Sequence, residues 1–543
     1  MGGGLLQLVA YGAQDAYISG NPHITFWKVL YKRHTNFAME AFRVNFTGTP
    51  SYGQRMVAVV NRNADLIWKT YVQVVLPDTT AAGTGGSAVY WTGDAQRRLG
   101  YALLKKIELE IGGQIIDTHY GEWLFLWENL TAGYDESTKL DSMVGGNLAG
   151  GTTSATSCGG RPGVLYIPLQ FWFNRNPGLA LPLIALQYHE VRFNIYLAKA
   201  TDLVSSTGYS SISAAAAALP QIKDMSLYLD YIYLDVDERR RFAQESHEYL
   251  IDQLQTGLQQ TITSANTRID LTLNHPVKEL VWVFQDVRKL DCASTETAAI
   301  GYTQPFAYDD IADKCRLQIN GQDRFDERYG DYFWKVQPYQ HHTGGAFWKT
   351  RNAIANPLAS NAGPVAFTLA GSVGQNGTAN NVLTVTAVSG APSGNAAGIT
   401  IGTQLYGYGV GGSATIPPGV TIVGFGTGNG GTGAAAAGTY ILNQPIVPFA
   451  ATSVYALNPD ITIPTTYNPI NVYSFAIQPE QHQPSGTCNF SRIDTATLVF
   501  DSITSGGQGS FPNKAYPYAF RIYAVNYNIL RIMSGMGGLA YSN

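Results

Sequence analysis

Apolar and polar residues alternate in short runs along most of this chain. Phe42, Val44 and Phe46 alternate with Arg43, Asn45 and Thr47. Trp68, Val72, Val74 and Leu76 share one parity, opposite Lys69 and Gln73. Ile107, Leu109 and Ile111 alternate with Lys106, Glu108 and Glu110. The same holds for Ile269, Leu271 and Leu273 against Arg268, Asp270 and Thr272, and for Cys315, Leu317 and Ile319 against Arg316, Gln318 and Asn320. A period of two sends one face to a core and the other to water or a partner, so each run predicts a strand. Residues 184–197 also read as strand-like. Leu280 to Phe284, after Glu279, is apolar at both parities, which predicts a central strand covered on both sides.

Helical periodicity is scarce. Its best instance is Asp237 to Gln255, where Arg241 and Glu245 have i,i+4 spacing. The first part of that segment reads as a connector between two domains.

The strand runs also repeat. Lys106-Ile107-Glu108-Leu109-Glu110-Ile111-Gly112-Gly113-Gln114 matches Lys314-Cys315-Arg316-Leu317-Gln318-Ile319-Asn320-Gly321-Gln322, 208 positions later. Tyr120-Gly121-Glu122-Trp123 then matches Tyr329-Gly330-Asp331-Tyr332. Tyr166 to Pro177 has the span of Tyr473 to Pro484, and Val191 and Phe193 fall on Leu498 and Phe500, now 307 positions apart. Ordered matches of this kind predict two related halves. The growing offset places an insert in the second half. From about 359 to 463 the chain is rich in Gly, Ala, Thr and Val, with β-like pieces such as Val382-Leu383-Thr384-Val385 and Val420-Thr421-Ile422-Val423. A smaller Gly/Ser/Thr-rich loop, about 131–160, takes the equivalent place in the first half. Loops tolerate such growth because closure entropy rises slowly with length.

Length agrees with two halves, since 543 residues exceed the roughly 250–300 that one core accommodates. Charged residues are only 14%, and Lys plus Arg number 35 against 39 Asp plus Glu. A nucleic-acid surface would need clustered basic residues. The short run Arg239-Arg240-Arg241 sits beside Asp235, Asp237 and Glu238 and reads as a self-paired solvated face. No direct nucleic-acid binding is expected. Cys158, Cys292, Cys315 and Cys488 are widely spaced and form no C-x-x-C pair, against a zinc site or a disulfide scaffold. The N-terminus lacks a basic signal-peptide region. No run approaches the ~18 apolar residues of a membrane span.

Catalytic chemistry finds little support. Gly426-Thr427-Gly428-Asn429-Gly430-Gly431 fits G-x-G-x-x-G but precedes no helical pattern, so it reads as turns. His189-Glu190 and His341-His342 are the tight histidine groupings, read as hydrogen-bonded structural residues. No residue set points to a catalytic centre, cofactor or metal. Sequons for N-glycosylation occur at Asn45, Asn129, Asn376 and Asn489, and Asn376, inside the insert, is the best-exposed candidate. Trp91, Trp123, Trp127, Trp172 and Trp334 are candidate core or contact anchors.

Longer strings are more specific. Gly20-Asn21-Pro22-His23-Ile24-Thr25-Phe26-Trp27-Lys28 and Tyr31-Lys32-Arg33-His34-Thr35-Asn36-Phe37-Ala38 resemble the N-terminal signature of the major capsid proteins of nucleocytoplasmic large DNA viruses. So do Phe171-Trp172-Phe173-Asn174-Arg175-Asn176-Pro177-Gly178, Asp237-Glu238-Arg239-Arg240-Arg241-Phe242-Ala243, Asn274-His275-Pro276-Val277-Lys278-Glu279-Leu280 and Val336-Gln337-Pro338-Tyr339-Gln340-His341-His342-Thr343. Gln483-Pro484-Ser485-Gly486-Thr487-Cys488-Asn489-Phe490 and the ending Arg531-Ile532-Met533-Ser534-Gly535-Met536-Gly537-Gly538 complete the set. The insert is similar instead, by composition, to β-modules of viral fibre and decoration proteins.

The resemblance implies an all-β fold of two tandem eight-stranded antiparallel jelly rolls, a double jelly roll, with a small β-rich insertion in a loop of the second. The expected units are an arm over 1–27, a first roll over 28–236, and a second over 237–543 interrupted by about 359–463. It implies a non-enzymatic structural protein, assembled in the host cytoplasm and located in the virion capsid. Its copies form pseudo-hexagonal homotrimers that tile an icosahedral shell, with the insertion outermost. Implied partners are itself, minor capsid and penton proteins and, indirectly, an internal membrane. The arm, apolar and helix-poor by sequence, is expected beneath the trimer. The competing readings are a carbohydrate-binding β-sandwich for surface attachment and a cupin-like metalloenzyme.

Overall fold

The computed structural model describes residues 3–23, 26–27, 31–77, 88–91, 98–145, 163–207, 216–217, 219–262, 267–287, 306, 308–344, 366–373, 380–389, 404–406, 420–427, 437–446, 449–457, 469–503 and 518–541. In the first half, the alternating runs form β1 (Phe37–Asn45), β2 (Arg55–Val59), β3 (Leu66–Val75), β4 (Leu104–Ile111), β5 (Gln114–His119), β6 (Val164–Pro168), β7 (Val191–Leu197) and β8 (Asp224–Leu234). They pair antiparallel in two sheets, β1-β8-β3-β6 and β2-β7-β4-β5.

The second half contributes β9 (His247–Thr256), β10 (Thr267–Asp270), β11 (Pro276–Asp286), β12 (Ala312–Ile319), β13 (Gln322–Asp323), β14 (Asn471–Ser474), β15 (Ala496–Ile503) and β16 (Tyr518–Met533). Its sheets run β9-β16-β11-β14 and β10-β15-β12-β13, the first-half order with every strand advanced by eight. Two facing sheets visited alternately in this order make a jelly roll, so the chain is two jelly rolls in tandem. Within the first roll, Val72 and Val74 of β3 and Ile107 and Leu109 of β4 are fully buried. Leu280, Trp282, Phe284, Cys315, Leu317, Leu498 and Phe500 build the second core.

The repeat is one structural device used twice. Gly112 and Gly113 turn β4 into β5 with φ of 58° and 86°, and Asn320 and Gly321 turn β12 into β13 with φ of 49° and 78°. Two successive left-handed residues make the tight hairpin turn that suits twisted strands. Ile111 pairs with Gln114, and Ile319 with Gln322. At the next anchor, a Cβ on Gly121 would overlap the carbonyl oxygens of Tyr101 and Leu104, and one on Gly330 that of Ala312. Leu104 opens β4 and Ala312 opens β12, so both glycines let the chain cross the start of the same strand.

Two of the later sequence matches are corrected. Leu109 pairs with Phe193 and Leu317 with Leu498, so Phe193 corresponds to Leu498 and Val191 to Ala496. A two-residue slip keeps every side chain on its face, so alternation cannot detect it. Tyr166 and Tyr473 are not equivalent. Tyr166 lies on the outer face of its sheet beside Tyr71, whereas Tyr473 packs against its own roll's core and Val472 faces outward. An odd slip reverses the faces.

A further correction concerns helices. Helix α1 (Gly121–Thr131) is buried along nearly its whole length, so it carries no amphipathic period to read. Helix α2 (Tyr134–Val144) lies inside the expected 131–160 loop, and residues 146–160 of that loop fall outside the described residues. Arg98 ties α2 to α1 by donating to Ser137 at 2.7 Å and pairing with Glu128. Helix α3 (Val236–Gln244) begins where Asp235 caps the Val236 N–H, and it ends well short of Gln255. The segment His247–Thr256 is β9, paired with β16 along ten residues, and that ladder overrides the local helical pattern. The run 184–197 is extended only from Val191. The arm, expected to be helix-poor, holds helical turns at Gly3–Val9 and Asp15–Ser19.

The insert forms its own six-stranded sheet. Its order is Gln404–Tyr406, Phe449–Leu457, Ala366–Val373, Asn380–Ser389, Gly438–Ile446, Ile422–Phe425. Leu383, Val385, Leu405, Ile422, Tyr440 and Leu442 are buried. Ala366 pairs with Leu457, so the insert's first and last strands lie side by side. Asn376, Cys158 and Cys292 lie outside the described residues.

Candidate assembly surfaces

The sheet β9-β16-β11-β14 is buried on both faces, for two different reasons. Leu280, Trp282 and Phe284 point into the second roll. Val281 and Val283, with Val472, Tyr523 and Val525, point the other way and join the core of the first half. What covers them is the β5–α1 segment. Trp123 lies 5.6 Å from Tyr523, and Phe125 stacks on Phe306 at 4.5 Å. This is why the 280–284 run is apolar at both parities.

Within that apolar seam sits a polar knot. Glu122, in the first turn of α1, accepts two hydrogen bonds from Arg521 of β16, at 2.7 and 2.6 Å. Tyr308 donates to the same carboxylate at 2.9 Å, as does Tyr523, and Arg521 also bonds Gln285. Burial and then Glu122 hold the Tyr308 and Tyr523 phenols well above their ordinary pKa. Burial opposes the charge on Arg521, but Glu122 outweighs it.

Further contacts clasp the halves. Asp117 accepts from the Leu254 N–H at 3.1 Å, and Gln253 donates to the Ile116 carbonyl. Asp252 holds Lys278 at 3.1 Å with Arg175 at 3.8 Å, and burial lowers the Lys278 pKa. Within the second half, beside the clasp, His342 bridges Glu279 at 3.0 Å and Glu480 at 3.1 Å. Burial pulls the His342 pKa down, yet the two carboxylates raise it to about 9. Thr343 then donates to the Thr131 carbonyl, and the Gly344 N–H to Leu130, at the end of α1. The C-terminal hairpin reaches back as well. The Tyr188 N–H donates to Gly535 at 3.0 Å, and the His189 ring lies 3.0 Å from the Gly537 carbonyl.

Among the described residues, the first roll leaves the Tyr71–Tyr228 part of the matching sheet face uncovered, while Phe242 of α3 and Ala180 pack on its Leu66–Ile232 end. On β1-β8-β3-β6, Tyr71 stacks on Tyr228 at 5.1 Å and leans on Tyr166 at 6.1 Å. Arg43 reaches along the face to Asp224 at 2.8 Å, and both side chains are nearly half exposed. Asp230 has its pKa raised by burial, with Lys69 opposing. Among the described residues, the second half's counterpart of the β5–α1 segment is also open on its outer side. It is built from β13, the strand Arg328–Tyr329, the π-helical turn Tyr332–Val336 and the helix Gln337–His341. Tyr329 is 67% and Tyr339 86% exposed there. Asp331 of this segment stands beside Asp310, which precedes β12. Burial and the neighbouring Asp331 raise Asp310 to about 6, while Trp334 donates to it at 3.0 Å. Lys335 pairs with Asp331.

A third apolar surface is the arm, where Leu5, Leu8, Tyr17, Ile18, Phe26 and Trp27 are all more than half exposed.

Several residues singled out by sequence have other roles. Asn129 is buried and donates to the Phe125 carbonyl. Trp123, Trp127, Trp172 and Trp334 are core residues, while the side chain of Trp91 lies outside the described set. Arg239 and Arg241 are charge-paired, but with Asp65 at 2.9 Å and Glu245 at 3.1 Å rather than with the acids beside them. Among the described residues, no three His, Cys, Asp or Glu side chains converge to hold a metal ion. The Glu122–Arg521 knot escaped sequence reading, although Glu122 lay inside a repeated string.

Comparison with known proteins covers most of the chain. Residues 25–235 match the family model "Major capsid protein N-terminus", and residues 238–346 and 451–538 match "Large eukaryotic DNA virus major capsid protein". The chain is 40% identical over 548 residues to the major capsid protein of Pyramimonas orientalis virus, covering 100% of both chains. It is 34% identical over 583 residues to that of Paramecium bursaria Chlorella virus 1, again covering 100% of both. Among solved structures, the PBCV-1 virus capsid superposes with a TM-score of 0.59 at 30% identity, covering 96% of this chain and 100% of that one. The Faustovirus major capsid protein, at 11% identity and a TM-score of 0.56, shares the fold over 96% of this chain and 94% of its own.

Proposed function

Because the chain belongs to the major capsid protein family of large eukaryotic DNA viruses, a structural and non-enzymatic family of the virion capsid, we propose that three copies close into a pseudo-hexagonal homotrimer that tiles the shell. One observation carries this. The outer face of the second roll's β9-β16-β11-β14 sheet is covered by the first roll's β5–α1 segment, while among the described residues the Tyr71–Tyr228 part of the first roll's equivalent face and the second roll's equivalent segment are left open. Repeating the same relation between chains lays residues 322–341 of one copy on the Tyr71–Tyr166–Tyr228 face of the next. A head-to-tail contact of this kind generates a closed ring when the rotation fits. Three chains supply six similar wedges.

The arm over 1–27, the rolls over 28–236 and 237–543, and the insertion near 359–463 are the working units of this reading. The insertion projects from the outer surface. Its paired first and last strands, and the gap the family match leaves between 346 and 451, support a module grafted into one loop. The exposed apolar arm lies beneath the trimer against neighbouring copies and minor capsid proteins, which with penton proteins are the partners in the shell.

Native mass spectrometry of the purified chain tests the trimer. The expected species is three chains, and Tyr71→Glu with Tyr228→Glu should yield folded monomer. A wild-type chain that remains monomeric at assembly concentrations overturns the reading. Deleting residues 1–20 should preserve trimers and impair shell assembly, and normal shells would refute the role given to the arm.

A further inference from the structure

We propose that each contact between copies is closed by an ion pair between Arg43 of one copy and the Asp310–Asp331 carboxyl pair of the next. This rests on the trimer reading and adds to it the residues that set the register of the contact.

The first support is equivalence. Glu122 follows Tyr120-Gly121, and Asp331 follows Tyr329-Gly330. Gly121 and Gly330 are each held against the carbonyl at the start of the equivalent strand, Leu104 and Ala312. The two carboxylates therefore leave the backbone at the same place in their rolls. Glu122 receives a guanidinium from the sheet face that lies on it, that of Arg521. Asp331 belongs to a segment on which no face of its own chain lies, among the described residues.

The second support is charge. Asp310 and Asp331 place two carboxyls side by side, against the single ammonium of Lys335. Covering them with an apolar sheet face alone would strand negative charge away from water, which is strongly unfavourable unless a cation comes with the face. The face in question supplies one. Arg521 stands near the start of β16, opposite Val283. The first roll has no Arg near the start of β8. There Asp224 holds the tip of Arg43, which β1 delivers along the sheet. A guanidinium thus stands at the same end of the same sheet in both rolls. Arginine carries five N–H donors in a fork. The bond to Asp224 leaves donors for a second carboxylate, and the side chain remains 47% exposed to meet one.

The pairing makes a reversal test possible. Arg43→Glu and Asp331→Arg should each raise the concentration at which trimers half-dissociate by about tenfold or more, as for loss of a desolvated charge pair. Arg43→Gln, which removes charge without adding repulsion, should weaken the trimer less than Arg43→Glu. Combining Arg43→Glu with Asp331→Arg should restore the trimer toward wild type. The readout is sedimentation velocity over a dilution series, with far-UV circular dichroism confirming that dissociated variants stay folded. If the wild type is trimeric but either reversal leaves dissociation unchanged, or the double reversal fails to recover it, the ion pair is refuted and the trimer stands. If the wild type is monomeric, the trimer reading itself has failed.

Discussion

Arg521 and Glu122, 399 positions apart in sequence, meet through hydrogen bonds of 2.7 and 2.6 Å inside the seam between the two jelly rolls. Both side chains are about 15% exposed or less, so the pair is largely desolvated. Removing one partner of such a pair strands the other and costs on the order of 3–5 kcal/mol. Glu122→Gln should therefore lower thermal stability sharply. Glu122→Leu combined with Arg521→Met should cost less than either single change, because neither charge is then left behind. Differential scanning calorimetry of the wild type, Glu122→Leu, Arg521→Met and the double variant checks this, and additive losses would contradict it.

His342 predicts a pH dependence. Its pKa is raised from 6.5 to about 9 by Glu279 and Glu480, against the opposing effect of burial. A raised base binds its proton more tightly when folded. The stabilisation is fully present below about pH 6.5 and is lost as pH rises through about 9, amounting to roughly 3 kcal/mol. Denaturant midpoints should fall over that window, and His342→Gln should flatten the fall. An unchanged slope in the variant would exclude His342 as its source.

The paired glycines predict unequal tolerance. Gly121→Ala and Gly330→Ala drive a methyl into a strand carbonyl and should abolish folded yield. Gly113→Ala meets nothing within 4 Å, and its only handicap is a φ of 86°. It should cost about 1–2 kcal/mol and still fold. Soluble expression followed by thermal melts separates the two classes.

The adjacent ends of the insert predict that it can be excised. Replacing residues 366–457 by a short Gly-Ser linker should leave the rolls folded and trimeric, since closing a loop in place of a module changes the entropy little. Size-exclusion chromatography with light scattering is the check, and aggregation or loss of trimer would show that the module props up the roll.

Much of this was legible from local pattern. Alternation found β3, β4 and β12, because half-buried strands write their faces into the sequence. The match of Ile111 to Ile319 was legible because Gly or Asn follows in both runs, the residues that the two left-handed turn positions of these hairpins favour. Helix α1 was not, since Trp123 to Leu126 is apolar in every direction and carries no period. Nor was the end of α3, where pairing of His247–Thr256 with β16 decides the conformation from across the molecule.

The opening pattern determined that this is an all-β chain of two related halves with an insert in the second. Sequence alone could do so because strand faces and tight turns are set by neighbours one or two residues away. Tertiary structure alone decided which sheet face is covered and which is left open, and that Glu122 answers Arg521. Those outcomes depend on how one roll lies on the other. A two-residue slip in β7 against β15, or the odd slip separating Tyr166 from Tyr473, is invisible until both strands are seen against their partners. The uncovered face of Tyr71 and Arg43 belongs to the same class, since a strand's outer residues look alike whether they meet water or another copy.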